Sequence, residues 1–290
     1  MEKYILIKTK GGFFDIISLV GKGLSYCKKY NRTLLLNTFN SQTYRINFSD
    51  YFSFDEISDI KIIYDRFEIK KITNDKNKSI YPEFLNGVNL NFTAWRKENV
   101  DGYYFKNDKL ERFIKFDLNK DYQEDILVYE DCNRGGSDET YGINQVFNLI
   151  QFKPNLLKDF NWKFKKINKP YLCIYVRNSD YKSDYKKLLN DNIKVIKKYK
   201  NIYLATDSIH VIKYFKTNQV NFKNFTKFPD LNWPYHQSDL DSDVLIKDSI
   251  SDLLLISLAD RIISNSNGKF IRMAKEFNLN KEIINKKCFS

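Results

Sequence analysis

The sequence predicts an α/β fold of parallel strands covered by helices. Near the N-terminus a strand, a Gly-Gly turn, a long amphipathic helix and a second strand follow in order. After Pro170 strands and helices alternate regularly. A third observation gives the fold a working edge. Three strands of the second half end abruptly in polar residues, at Arg177, at Asp207 and at Ser264 to Gly268.

The first strand is YILIK, residues 4–8, and Gly11-Gly12 follows it. In FFDIISLVGKGLSYCKKY, residues Phe13, Ile16, Ile17, Val20, Leu24 and Cys27 recur on one helical face. RTLLLN, 32–37, is the next strand and completes a βαβ unit. Gly11 and Gly12 let a ligand approach the backbone beside a helix N-terminus. From about 40 to 165 the pattern is weaker. YFSFDEI and FNLIQFKPNLLKDF read as helical or loop-rich, KIIY (62–65) and DILVYED (125–131) as strands, and NRGGSDET (133–140) as a loop. KINKP, 166–170, is the expected hinge, which divides the chain into domains 1–165 and 166–290.

The second half reads more sharply. The apolar run 171–176 is a strand buried on both faces, and a Lys-rich helix over about 184–199 follows. NIYLAT, 201–206, is a strand ending in Asp207, with a helix over 208–217 behind it. SISDLLLISLAD, 249–260, is a helix whose Ile250, Leu253, Leu254 and Leu258 share a face, and Ser249-x-x-Asp252 resembles its capping start. RIISN, 261–265, is a short strand, and GKFIRMAKEF, 268–277, is a helix with Phe270, Met273, Ala274 and Phe277 on its apolar face. In an open α/β sheet, ligands bind beyond the carboxyl ends of the strands. Arg177, Asp180, Asp207 and the Ser264–Gly268 turn all fall at such ends.

Composition removes several function classes. The 42% hydrophobic and 16% aromatic content supports real cores. No apolar run nears the roughly 18 residues a bilayer span needs. Because the chain opens directly on a strand, no signal peptide is expected. Cys27, Cys132, Cys173 and Cys288 are scattered, without CxxC spacing, as expected of reduced thiols in a cytoplasmic protein. Two histidines, His210 and His236, argue against a His-rich zinc site and a Ser-His-Asp triad. The net charge of +12 comes from lysines spread along the chain, with no arginine-rich arm and no zinc-finger or RNP pattern, so no dedicated nucleic-acid partner is expected. Such a basic surface suits an anionic nucleotide sugar, or peripheral contact with an anionic inner-membrane face.

The strand-tip residues resemble motifs of the fucosyltransferase-like GT-B glycosyltransferases, which include α1,2-, α1,6- and protein O-fucosyltransferases. The family's H-x-R-R-x-D stands here as Tyr175-Val176-Arg177-Asn178-Ser179-Asp180. Its strand-ending A-T-D is Ala205-Thr206-Asp207. Its third motif, a Ser-rich turn into a helix bearing R-x-A-x-E, is similar to LADRIISNSNGKFIRMAKEF, with Arg272, Ala274 and Glu276 in place. The match covers about the last 120 residues and the first 37. Tyr175 and Asn178 depart from the family's histidine and second arginine, and Ser266 and Gly268 follow its turn loosely. The resemblance implies two Rossmann-like domains facing across a cleft. It also implies inverting, metal-independent transfer of fucose or a related sugar from a GDP-linked donor to a glycan, polysaccharide or lipid-linked glycan acceptor, with no further cofactor.

The residues fit that chemistry. Breaking the bond between the anomeric carbon and a diphosphate builds negative charge on the leaving phosphate. Fixed cations and backbone N–H groups can neutralise it. Arg177 can grip two phosphate oxygens, supported by the helix N-terminus after Gly268. Gly11, Gly12, Tyr175, Asp207, Ser266, Asn267, Gly268 and Lys269 complete the expected donor-binding set. Asp207 is expected either to accept from guanine N1–H and N2–H, as the family's aspartate does, or to cap the helix behind it. Asp180 and Asp184 are expected to face the acceptor as general base, with Asp15, Glu130 and Asp131 as further candidates. Asp241-Ser242-Asp243 has the DxD spacing of manganese-binding transferases, but it reads here as a solvated loop or helix start. The competing class is a non-catalytic nucleotide- or RNA-binding doubly wound protein.

Overall fold

The computed structural model describes residues 2–9, 11–39, 45–57, 59–87, 89–90, 117–131, 141–179, 181–228 and 240–289. The chain divides into two compact units, Met1–Lys153 and Pro154–Ser290.

In the first unit, β1 (Tyr4–Thr9), α1 (Phe13–Tyr30) and β2 (Thr33–Asn37) form the expected βαβ. The other elements are β3 (Phe52–Phe54), β4 (Ile62–Ile63), α2 (Arg66–Thr73), β5 (Ile80–Tyr81), β6 (Ile126–Asp131), α3 (Ile143–Leu149) and β7 (Ile150–Phe152). A parallel sheet runs β4-β2-β1-β6-β5. β1 is central and all six of its residues are buried, which explains the apolar run Tyr4 to Ile7. α1 seats directly on this sheet at Gly23. A Cβ there would fall 2.4 Å from Ile7 Cδ1 and 2.7 Å from Leu34 Cδ1.

Two expectations for the middle of the chain need correction. Phe52–Phe54 and Ile150–Phe152 are strands, paired antiparallel, where helix or loop was expected. Their pairing is invisible in either segment alone, because the partners lie about a hundred residues apart in sequence. α2 had no expected counterpart. It buries only Ile69 and Thr73, and Asp65 caps it by accepting from Phe67 N–H at 2.9 Å.

The second unit contains α4 (Pro154–Lys165), β8 (Leu172–Val176), α5 (Tyr185–Ile196), β9 (Ile202–Thr206), α6 (Ile209–Thr217), α7 (Ser242–Ser257), β10 (Arg261–Ser264), α8 (Lys269–Leu279) and α9 (Lys281–Phe289). Its parallel sheet runs β10-β8-β9. Leu172, Ile174 and Val176 of β8 pack with Leu188 of α5 and Val211 and Phe215 of α6. On the opposite face α7 packs against α4, α8 and α9. The division falls at Lys153–Pro154, ahead of the expected 165/166, because α4 belongs to this helical layer: Lys163 reaches Asp248 of α7 at 2.7 Å. α7 starts at Asp241, not at Ser249, so Ser249-x-x-Asp252 lies inside the helix. Asp241 Oδ1 accepts from Asp243 N–H at 2.7 Å and sets that earlier start.

Among the described residues no helix is long and apolar enough to cross a membrane. Cys27, Cys173 and Cys288 are free and buried. Cys132, His236 and the loop 133–140 lie outside the described residues.

α7 also carries a carboxyl with a shifted proton affinity. The Tyr203 hydroxyl donates to Asp252 Oδ1, and Thr226 Oγ1 donates to its Oδ2 at 3.4 Å. Burial pushes the Asp252 carboxyl up from 3.8 to about 7. The Tyr203 hydrogen bond works against that rise, and the Asp248 charge works with it. Between those two values the folded protein keeps a proton that the unfolded chain has released. This group therefore favours folding at low pH, and its contribution falls as pH rises through that window. Asp252→Asn carries no such charge. Its melting temperature relative to wild type should climb between about pH 4 and pH 7, the window set by the shift. Thermal melts at several pH values check this, and a pH-independent difference would contradict it.

Candidate functional site

Chain order locates the site of the second unit. β8 leads through α5 to β9 on one side, while α7 delivers β10 to the other side. β8 is therefore the switch point, and ligands of such sheets bind beyond the strand tips there. Arg177 leaves β8 at that point, half-buried.

The turn after β8 is tied down in detail. Asn178 N–H donates to Asp207 Oδ1 at 2.7 Å, and Ser179 Oγ donates to Asp207 Oδ2 at 2.6 Å. Ser183 Oγ donates to the Arg177 carbonyl at 2.6 Å, and Lys182 Nζ donates to the Asn178 carbonyl at 3.3 Å. The Asn178 side chain is buried and donates to Ser208 Oγ at 3.3 Å. The N-cap of α6 is Ser208, so the expected capping role of Asp207 is not seen. Its carboxylate turns instead toward the β8 tip. Asn178, Ser179 and Ser208 were missed as supporting residues. The one available signal was that asparagine replaces an arginine in the β8 turn.

Beyond β10 the backbone climbs a ladder of serines. Ser264 Oγ accepts from Ser266 N–H at 3.1 Å, and Ser266 Oγ accepts from Gly268 N–H at 3.3 Å. Ser266 is buried, while Asn267 is exposed. Gly268 is the N-cap of α8 and has no side chain of its own to cap that end. A Cβ on Gly268 would lie 3.7 Å from Arg177 Nη1. The guanidinium thus lies beside the N-terminus of α8, where the helix dipole is already positive. The first turn of α8 holds no acidic residue and begins with Lys269. An arginine beside a helix N-terminus whose first turn carries a lysine and no acid is an arrangement that suits an anion.

The remaining expected residues take varied places. Tyr175 stacks on Phe270 of α8, with ring centroids 5.7 Å apart, beneath the Gly268 turn. Asp184 caps α5, its Oδ1 accepting from Lys187 N–H at 2.9 Å. Its carbonyl accepts from Asn265 Nδ2 at 3.0 Å, which links α5 to the β10 turn. Asp180 lies outside the described residues. Arg272 and Glu276 sit on the exposed face of α8, and Ala274 is in the core. Asp241 and Asp243 begin α7 as a helix start, with Asp243 paired to Lys247 at 2.7 Å. Among the described residues no three His, Cys, Asp or Glu side chains gather as a metal would need.

The first unit has its own switch point. α1 links β1 to β2 on one side, and β6 lies on the other, with Thr9 in register with Asp131 and Lys8 with Glu130. Gly11 and Gly12 leave the tip of β1 there. A Cβ on Gly11 would fall 1.9 Å from Asp15 Oδ2, so the glycine is what lets Asp15 close on the turn. Lys8 is buried and donates to the Leu90 carbonyl at 2.7 Å.

No protein-family model and no curated protein matches the sequence. Solved structures do. NodZ alpha-1,6-fucosyltransferase soaked with GDP-fucose is 15% identical. The match covers 95% of this chain and 92% of that one, with a TM-score of 0.64. The chain is similar in fold to NodZ. Fucosyltransferase NodZ from Bradyrhizobium matches at 16% identity, 95% and 93% coverage and a TM-score of 0.62. POFUT1 in complex with GDP matches at 12% identity, 99% and 96% coverage and a TM-score of 0.56. The α/β, GT-B fold class expected from the sequence is borne out by this likeness to NodZ.

Proposed function

We propose that the protein is an inverting glycosyltransferase that moves fucose or a related sugar from a GDP-linked donor to a hydroxyl of a glycan or polysaccharide. The observation that carries this is Arg177 beside Gly268, the N-cap of α8, whose first turn holds Lys269 and no acid. Two fold neighbours support the choice of donor, one soaked with GDP-fucose and one in complex with GDP.

In the proposed reaction an acceptor oxygen attacks the anomeric carbon from the face opposite the diphosphate. The bond to the phosphate oxygen breaks, and its electron pair stays on the leaving group. Arg177 and the first N–H groups of α8 meet that growing charge. Lys269 adds a second cation in the first turn. The acceptor proton passes to a carboxylate. Asp180 and Asp184 remain the candidates for it, although one oxygen of Asp184 already serves α5. The reading needs no metal, because the positive charge at the leaving group is built from the chain itself.

A thermal-shift panel of GDP, UDP, TDP and CMP, each with EDTA and with Mn²⁺, tests this. GDP at a hundred times its dissociation constant should stabilise the protein by roughly 2.7 kcal/mol, equally in EDTA. Sugar transfer from GDP-fucose should likewise survive EDTA. A panel without any response to a nucleoside diphosphate would overturn the reading. Activity that vanishes in EDTA and returns with Mn²⁺ would overturn the metal-independent mechanism.

A further inference from the structure

The peptide unit that follows Arg177 is held from both ends. Its carbonyl, that of Arg177, accepts from Ser183 Oγ at 2.6 Å. Its N–H, that of Asn178, donates to Asp207 Oδ1 at 2.7 Å. Because a peptide unit is planar and rigid, fixing both groups fixes the backbone angle at Arg177 and so the direction in which its side chain leaves. The second oxygen of Asp207 holds the next residue, through Ser179 Oγ at 2.6 Å. All three bonds are short, and the two to the carboxylate are charge-assisted, which places them among the stronger hydrogen bonds.

We propose that Asp207 is a positioning residue, which aims Arg177 at the leaving diphosphate through the β8 turn. The inference rests on the donor-binding reading above. Each Asp207 oxygen takes one donor of the β8 turn, so the carboxylate couples that turn to the tip of β9. The effect of Asp207 on the diphosphate then passes through Arg177.

Positioning and base reading separate when ligands differ in phosphate but share a base. Calorimetric titration of GDP and GMP into wild type, Asp207→Asn, Ser179→Ala, Arg177→Ala and the Asp207→Asn/Arg177→Ala double variant makes the comparison. Misaiming Arg177 should weaken GDP by roughly tenfold or more, and GMP by clearly less. Ser179→Ala, which keeps the carboxylate intact, should weaken GDP in the same direction. The double variant should lose less GDP affinity than the two single losses combined, because one residue works through the other. Equal losses for GDP and GMP in Asp207→Asn, additive with Arg177→Ala and absent in Ser179→Ala, would overturn the inference and return Asp207 to the base. If Asp207→Asn does not fold, Ser179→Ala alone decides: a GDP-selective loss supports positioning, and unchanged binding overturns it. A wild-type protein that binds neither nucleotide overturns both this inference and the function on which it rests.

Discussion

Arg177→Ala should keep its melting temperature within about 1 °C, as substitutions outside the core generally do, and should lose roughly 10² to 10³ in turnover. The side chain is half-buried at a strand tip, so its removal opens no core cavity. Its carbonyl and the following N–H are held by Ser183 and Asp207, whose bonds do not involve the side chain, so the turn should persist. The missing charge matters most when the diphosphate leaves, and the loss should therefore fall on turnover more than on KM. Arg177→Lys should be nearly as poor. A point charge cannot take two phosphate oxygens in one plane, and the shorter reach over Gly268 would misplace it. Melting curves and steady-state kinetics on the two variants check this. A destabilised variant with normal turnover would make Arg177 a structural residue that merely closes the β8 turn.

The parts legible in the sequence were those written in continuous local patterns. β8 and β9 are apolar runs that stop at Arg177 and Asp207, and the structure ends both strands within a residue of those positions. The face of α1 was readable because Phe13, Ile16, Ile17, Val20 and Leu24 repeat at helical spacing, and all are buried. β3 and β7 were not readable, because each is three residues long and is defined only by its distant partner. The start of α7 was misplaced for another reason. The helix buries residues on nearly every side, including Asp248 and Ser251, so no polar face marks its length. At the site, the residues that touch the ligand in the proposal were in reach of motif reasoning. The brace behind them was not. Asn178 looked like a weakened motif, yet it is buried, and its backbone N–H and side chain join the tips of two strands. Asp207 looked outward-facing or capping, because only the folded sheet brings it beside Ser179.

Lys163→Met should be the most destabilising single change in the second unit outside its apolar core, at about 3–5 kcal/mol. Lys163 is 3% exposed, and its ammonium lies 2.7 Å from both Asp159 Oδ2 and Asp248 Oδ1. Burial alone would lower its proton affinity, but Asp248 and Asp159 outweigh burial and hold it above the ordinary 10.5. This stabilisation is therefore present at all pH values below the ordinary one and is lost only as pH climbs through the raised value, so neutral-range buffers should not change it. Methionine restores most of the volume but leaves two carboxylates facing each other without their cation. Asp248 cannot simply turn away, because its Oδ2 also accepts from Lys227 N–H at 2.9 Å. Adding Asp248→Asn removes the buried uncompensated charge, so the double variant should recover part of the loss. α4 and α7 are joined through this pair, and α7 carries α8 on its other side. The Gly268 end of α8 should consequently loosen in Lys163→Met, and hydrogen exchange there should rise along with the fall in melting temperature. A cost below about 1 kcal/mol would place the pair with solvent-exposed ion pairs and detach it from the support of the donor site.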